Sequence, residues 1–217
     1  EADVMHINKQ RKKQGRPMVE ALYTEDDAQN VFPLLKTLGY NEPLQIDNDV
    51  ELLYTDCGHI IGSAAVSLKI KEHGKVSRLT FSGDVGRYND LILRSPEVFP
   101  QADYIIMEST YGNKLHDMVA PSTERLLQYI TDTCLKRKGK VIIPSFSVGR
   151  TQELLYILNR LETEHRLPPL NYYVDSPLSI EATEMVKRHP ECFNKEVQEL
   201  LKKDEDVFKF KGLHYLE

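Results

Sequence analysis

Thr55-Asp56-Cys57-Gly58-His59-Ile60-Ile61-Gly62-Ser63, then Ser82-Gly83-Asp84-Val85-Gly86-Arg87, then Met107-Glu108-Ser109-Thr110-Tyr111-Gly112 is the series that decides how this chain is read. Each piece closes an apolar run of strand length with a side chain that can bind a metal or handle a proton: His59, Asp84 and Glu108. Three such ends along one sheet edge make an active-site rim. His59 lies between Gly58 and Gly62-Ser63, and Asp84 between Gly83 and Gly86, so the main chain can come close to an ion. Imidazole nitrogen and carboxylate oxygen are the favoured ligands of hydrolytic metal sites. Taken singly, a Gly-Asp-Val-Gly stretch is a turn and a histidine after a strand is a satisfied polar group. The ordered series argues against both plain readings.

Working outward, residues 51–56 read as a strand leading into the first piece. Ala64–Lys71 alternates, with Val66, Leu68 and Ile70 on one face, as a half-buried strand does. Glu72-His73-Gly74-Lys75 is a turn, and Val76–Ser82 is the return strand of a hairpin. With Asp103–Glu108 these strands form one mixed sheet. Upstream, Thr24 and Asp27 fit a capping box opening a helix that carries Val31, Leu34, Leu35 and Leu38 and stops at Gly39. Pro33 inside that run implies a kink or an early end. Residues 9–16 hold five basic side chains and no acid; this is either a solvated loop or a phosphate-contacting patch.

Downstream, Ser122–Lys138 has helical periodicity and Gly139 as its stop. A short buried strand follows over Lys140–Pro144, then a helix over Val148–Arg160, a strand over Asn171–Asp175 and a helix over Leu178–Arg188. This β-α-β-α alternation implies a parallel sheet with right-handed crossovers. The fold class is therefore α/β, with a boundary near 113–120 that separates residues 1–115 from 116–217.

Of the 217 residues, 41% are hydrophobic and 28% charged, an ordinary balance for a soluble protein. No apolar run approaches ~18 residues, so no transmembrane helix and no membrane partner are expected. The first residues lack the basic and apolar stretches of a signal peptide. Three widely spaced cysteines (Cys57, Cys134, Cys192) without a C-x-x-C suit a reducing, cytoplasmic setting. The net charge of −5 weighs mildly against a nucleic-acid binder, although local patches decide binding. The chain opens without Met in a charged, helix-like segment, which reads as the middle of a longer protein. The sequence allows a homo-oligomer.

Asp56–Ala64, Ser82–Arg87 and Glu108–Gly112 resemble three successive motifs of the metallo-β-lactamase superfamily, the last pointing to its β-CASP branch of nucleic-acid-processing nucleases. Pro144-Ser145-Phe146-Ser147-Val148-Gly149-Arg150-Thr151-Gln152-Glu153 and Asp175-Ser176-Pro177-Leu178 are similar to the inserted β-CASP domain of RNA-cleaving members. Those members include the cleavage-and-polyadenylation endonuclease and its prokaryotic relatives. The resemblance implies part of an αββα sandwich over 1–115 and part of the inserted domain over 116–217. It implies that His59 is a metal ligand, that Asp84 bridges two zinc ions, and that Glu108 supports a catalytic histidine. A Glu rather than an Asp at position 108 leans towards RNA as substrate.

The resemblance also sets what is missing. The family's H-x-H-x-D-H cluster occurs nowhere in the 217 residues, and its later histidine motifs are absent. Two ligands do not hold a catalytic zinc, which takes three protein ligands plus water. The expectation is therefore a zinc-dependent ribonuclease when complete, endo- or exonucleolytic, and weak zinc binding with no cleavage by these residues alone. Ser145, Ser147 and Arg150 precede or open a helix whose free N–H groups would suit an anion such as an RNA phosphate; a plain loop with serine caps is the other reading. Cys57 reads as a small buried hydrophobe rather than a ligand. His116 and His214 are stray candidates, His214 in an exposed tail. The alternatives are a thioester hydrolase or a DNA-processing enzyme of the same superfamily, and a non-catalytic scaffold homologue.

Overall fold

The computed structural model describes residues 2–115, 120–203 and 206–216. The chain divides into two units, Glu1–Gly39 and Tyr40–Glu217.

The first unit opens with α1 (Ala2–Lys13), which has Asp3 in its first turn and Arg11, Lys12 and Lys13 in its last. That arrangement suits the helix dipole at both ends. The basic run is thus the end of a helix and the turn after it, a correction to the loop expected over 9–16. Asn8 pins the returning chain with a reciprocal pair of 2.8 Å bonds to the Val19 amide and carbonyl. The Thr24–Asp27 capping box is present, but α2 covers only Glu25–Gln29. A 3-10 turn over Phe32–Leu34 follows, with Pro33 inside it. Proline lacks the N–H that an α-helix needs there, so the helix ends early, as its position implied.

The second unit is built on a five-stranded sheet in the order β1-β2-β3-β4-β5. Its strands are β1 (Leu44–Gln45), β2 (Val50–Asp56), β3 (Ala64–Glu72), β4 (Lys75–Phe81) and β5 (Tyr104–Ile106). β1 to β4 pair antiparallel and β5 joins β4 in parallel, so the sheet is mixed as the pattern implied. β3 and β4 close through a two-residue loop in which His73 (φ 48°) and Gly74 (φ 76°) are both left-handed. Two positive φ values give a type I′ turn, whose twist matches the strands it joins. β5 presents Tyr104, Ile105 and Ile106 to solvent.

Beyond Gly112 the helical part takes over. α3 (Ala120–Ile130) runs into a π-helical stretch over Thr131–Lys136, and Gly139 closes it by donating to the Thr133 carbonyl. Lys140–Pro144 forms no strand, a correction to the sequence reading. β6 (Tyr172–Asp175) takes β7 (Leu213–Leu216) as its parallel partner, and Ile142 stays 86% exposed rather than buried. α4 (Arg150–Thr163), α5 (Pro177–Lys187) and α6 (Lys195–Leu201) complete the unit. Leu155, Tyr156 and Leu158 of α4 pack with Val186, Phe193 and Phe208 in the main core. Each such side chain stabilises the fold by about 2 kcal/mol. The mixed α/β architecture expected from the sequence is what the chain adopts.

A short stretch of main-chain pairing joins the sheet's loops to the helices. Residues 92–94 lie alongside 192–194, bridged at Leu93 and Phe193, with bonds from the Asn194 amide to Ile92 and the Arg94 amide to Cys192. The segment after Asp84 is thereby fixed to the helical layer.

Candidate active site

β2 delivers the chain into the first motif with its last residues buried. Asp56 is 5% exposed; its Oδ1 accepts from the Gly58 amide at 2.8 Å and its Oδ2 from Arg94 Nη2 at 2.8 Å. This carboxylate shapes the turn before His59, and sequence reasoning gave it no role although it stands inside the motif. Gly58 is left-handed (φ 59°). Ser63 Oγ then accepts from the amides of His59 and Ile60 at 3.2 and 3.3 Å. The histidine's loop is thus folded around one hydroxyl, and its imidazole is free to face outwards.

The second motif leaves β4 through Ser82, which is fully buried. Its amide donates to the Ile106 carbonyl at 2.9 Å, and its Oγ accepts from the Glu108 amide at 3.1 Å. Ser82 therefore holds the second and third motifs side by side. Glu108 Oε1 in turn accepts from the Val85 amide at 2.7 Å. That bond, with help from the Thr110 side chain, holds the Glu108 carboxyl below its ordinary titration range. The amide of Gly86 donates to the Cys57 carbonyl at 2.8 Å, laying the Asp84 turn on the His59 loop.

These contacts bring His59 Nε2 to 3.8 Å from Asp84 Oδ2, with both side chains open to solvent. The three residues picked from the sequence thus share one rim: His59 faces Asp84, and Glu108 is bonded one residue beyond Asp84. A neutral imidazole and a carboxylate at this spacing fit one side of a metal centre. Among the described residues, no group of three or more His, Cys, Asp or Glu is gathered to hold an ion. The pair fits as two members of a larger ligand set.

Cys57 stands apart from that set. It is fully buried, its Sγ donates to the Ser82 carbonyl at 3.0 Å, and burial pushes its thiol up to about 11. A ligand cysteine needs the opposite shift, towards thiolate. His214 belongs to β7, a correction to the tail expected there; it stacks on Tyr173 at 5.3 Å. His116 lies outside the described residues.

The 144–153 stretch sits beside the rim, where Gly149 (φ 83°) lies against Ile60. Its free amides are fewer than the sequence suggested. The Gly149 amide donates to Gln152 Oε1 at 2.7 Å, and the Arg150 and Thr151 amides donate to the Val148 and Phe146 carbonyls. Ser145 Oγ is 2.9 Å from Thr151 Oγ1, and Gln152 donates to the Ser147 carbonyl at 3.0 Å. What this stretch offers a polyanion is the Arg150 guanidinium, whose side chain is 59% exposed, together with the Ser147 hydroxyl, since the Ser145 hydroxyl donates to Thr151, whose own proton goes to the Phe146 carbonyl.

Comparison with known proteins agrees with this geometry. The Beta-Casp domain family matches residues 151–217. Ribonuclease TTHA0252 of Thermus thermophilus is 32% identical over 200 residues, covering 92% of this chain and 44% of that protein. The RNase J-like protein of Methanocaldococcus jannaschii is 31% identical over 182 residues, 82% of this chain and 42% of its own length. Endoribonuclease YSH1 of Kluyveromyces lactis is 29% identical over 201 residues, 90% of this chain and 26% of its own. The chain thus spans less than half the length of these curated relatives. The motif series on one rim, the domain match and the relatives agree: the chain belongs to the metallo-β-lactamase-fold β-CASP family.

Proposed function

We propose that this protein hydrolyses RNA phosphodiester bonds at a centre of two zinc ions that His59 and Asp84 help to form. The observation that carries the reading is the 3.8 Å approach of His59 Nε2 to Asp84 Oδ2, on a rim whose turns are locked together by main-chain bonds. The imidazole and the carboxylate would each hold metal. Bound divalent metal supplies Lewis-acid charge for phosphodiester hydrolysis. Glu108, whose carboxylate accepts from the Val85 amide, holds the Asp84 turn in place. Arg150 would meet a backbone phosphate, with the Ser147 hydroxyl beside it as a donor. The relatives' names, ribonuclease and endoribonuclease, support RNA as the substrate. Within this reading, residues 1–115 belong to the metal-binding domain and 116–217 to the inserted one. Three cysteines outside any disulfide support a cytoplasmic location.

The test uses the full-length protein and a labelled single-stranded RNA. Cleavage that a chelator abolishes is the expected result, with losses of roughly a hundredfold or more in Asp84→Asn and His59→Ala. Arg150→Ala should weaken RNA binding and reduce its salt dependence by the share of one phosphate contact. A zinc-loaded protein that leaves RNA intact, or that prefers a thioester or DNA, would overturn the reading.

A further inference from the structure

Arg87 and Glu153 lie 66 positions apart in the chain and form an ion pair. Arg87 Nη2 contacts Glu153 Oε1 and also Asp90 Oδ2, the latter at 3.0 Å. The other oxygen of Glu153 takes Arg150 Nη1 at 2.7 Å. One carboxylate, only 13% exposed, is therefore shared between two guanidinium groups. Asp90 is itself anchored: its Oδ1 accepts from the Ile92 and Leu93 amides at 2.9 and 3.0 Å, and its carbonyl accepts from Asn194 Nδ2 at 2.9 Å. Arg87 is thus clamped between an acid fixed to its own loop and an acid fixed to α4. It follows Asp84 by three residues, on the same turn that Gly86 lays against Cys57.

We propose that Arg87 and Glu153 are positioning residues that couple the Asp84 turn to Arg150. Through Arg87, Glu153 sets where the Asp84 carboxylate stands. Through its second oxygen it restrains the guanidinium offered to RNA. Charged, partly desolvated pairs of this kind hold direction as well as distance. Residues that hydrogen-bond a metal ligand commonly govern metal affinity by ten- to hundredfold, and Arg87 acts one step further back, through the main chain of the Asp84 turn. The inference rests on Asp84 as a metal ligand and Arg150 as an RNA contact.

Zinc titration of the full-length protein by calorimetry tests it, alongside RNA cleavage and RNA binding in chelator. Arg87→Ala and Glu153→Gln should each weaken zinc binding roughly tenfold or more. Both should lower kcat by a similar factor, and the double variant should lose little more than either single. RNA binding without metal should hold or tighten in Glu153→Gln, because Arg150 is released from its carboxylate. A merely structural pair would leave zinc affinity and kcat at wild-type values below the melting temperature. Zinc affinities within twofold of wild type, or fully additive losses in the double variant, overturn the inference. Should Arg87→Ala fail to fold, Arg87→Lys must show zinc affinity between wild type and Glu153→Gln, and wild-type affinity there would equally overturn it. A wild-type protein that binds zinc yet leaves RNA uncut would defeat the proposed activity, while the zinc measurements would still decide the positioning role.

Discussion

Gly86 lies on Gly58 main chain to main chain: a Cβ on Gly86 would stand 1.8 Å from the Gly58 carbonyl oxygen and 2.7 Å from the His59 amide nitrogen. The loops that carry His59 and Asp84 are in contact because Gly86 has no side chain at that point; a Cβ on Gly58 would instead meet the Arg94 carbonyl oxygen at 2.6 Å and the Pro96 nitrogen at 2.8 Å. Gly86→Ala should therefore force the loops apart and cost roughly 2–3 kcal/mol, since backbone cannot yield as a flexible side chain does. Urea unfolding measures the loss. Gly62→Ala is the control: Gly62 is left-handed (φ 80°) but faces open space, so only the backbone strain of about 1 kcal/mol should appear. Equal losses in the two variants would mean that the apposition is not tight.

Asp56 draws on Arg94 and the Gly58 amide for its burial. Arg94→Met keeps the stem of the side chain and removes the charge, leaving a buried carboxylate with half its partners. A loss of roughly 2 kcal/mol is expected, less than for a fully enclosed pair because Arg94 is itself 40% exposed. Denaturant midpoints at neutral pH would show it, and an unchanged midpoint would place Asp56 in contact with water.

The β3–β4 turn holds a histidine in the left-handed region at position 73. Asparagine tolerates that conformation better, and Asn-Gly is the preferred pair for a type I′ turn. His73→Asn should raise stability by about 0.5 kcal/mol and leave RNA cleavage untouched. A drop in melting temperature would rule out strain at this turn.

Tyr40 and Tyr172 each have their phenol pushed up to about 12, in both cases chiefly by burial. Each hydroxyl also donates to a carbonyl, Tyr40 to Ser63 at 3.0 Å and Tyr172 to Pro168 at 2.9 Å. The folded groups keep their protons longer than the unfolded ones. The stability they contribute is therefore fully present below about pH 10, the unfolded value, and is lost as pH rises towards about 12. Unfolding free energy followed alongside phenolate absorbance should fall across that window. Tyr172→Phe should flatten the fall, and a phenolate that forms at about pH 10 in the folded protein would contradict the burial argument.

The hairpin, the mixed sheet and the helices after Gly112 were legible because each rests on a local pattern: alternation, a Gly-containing turn, apolar residues at helical spacing. The rim was legible for the same reason, since His59, Asp84 and Glu108 each end a strand-like run. Lys140–Pro144 was misread because an apolar run carries no record of whether a partner strand lies beside it, and β6 pairs with β7. The Arg87–Glu153 pair was out of reach because its two halves meet only through the fold. Even so, both residues stand inside the motifs that carry the family resemblance, Arg87 closing Ser82–Arg87 and Glu153 closing Pro144–Glu153. The amides at 149–151 looked free from sequence because Gln152 could not be seen turning back to cap Gly149.

β5 is hydrogen-bonded to β4 along one side, and its three residues turn large apolar surfaces to water. An open edge of this apolar character is a template on which another chain can align, and the shortness of β5 limits that pairing without removing it. Concentrated samples of these 217 residues should therefore grow turbid through strand-to-strand stacking rather than through loss of the native fold. A lysine at Ile105 would be the first remedy for anyone purifying them.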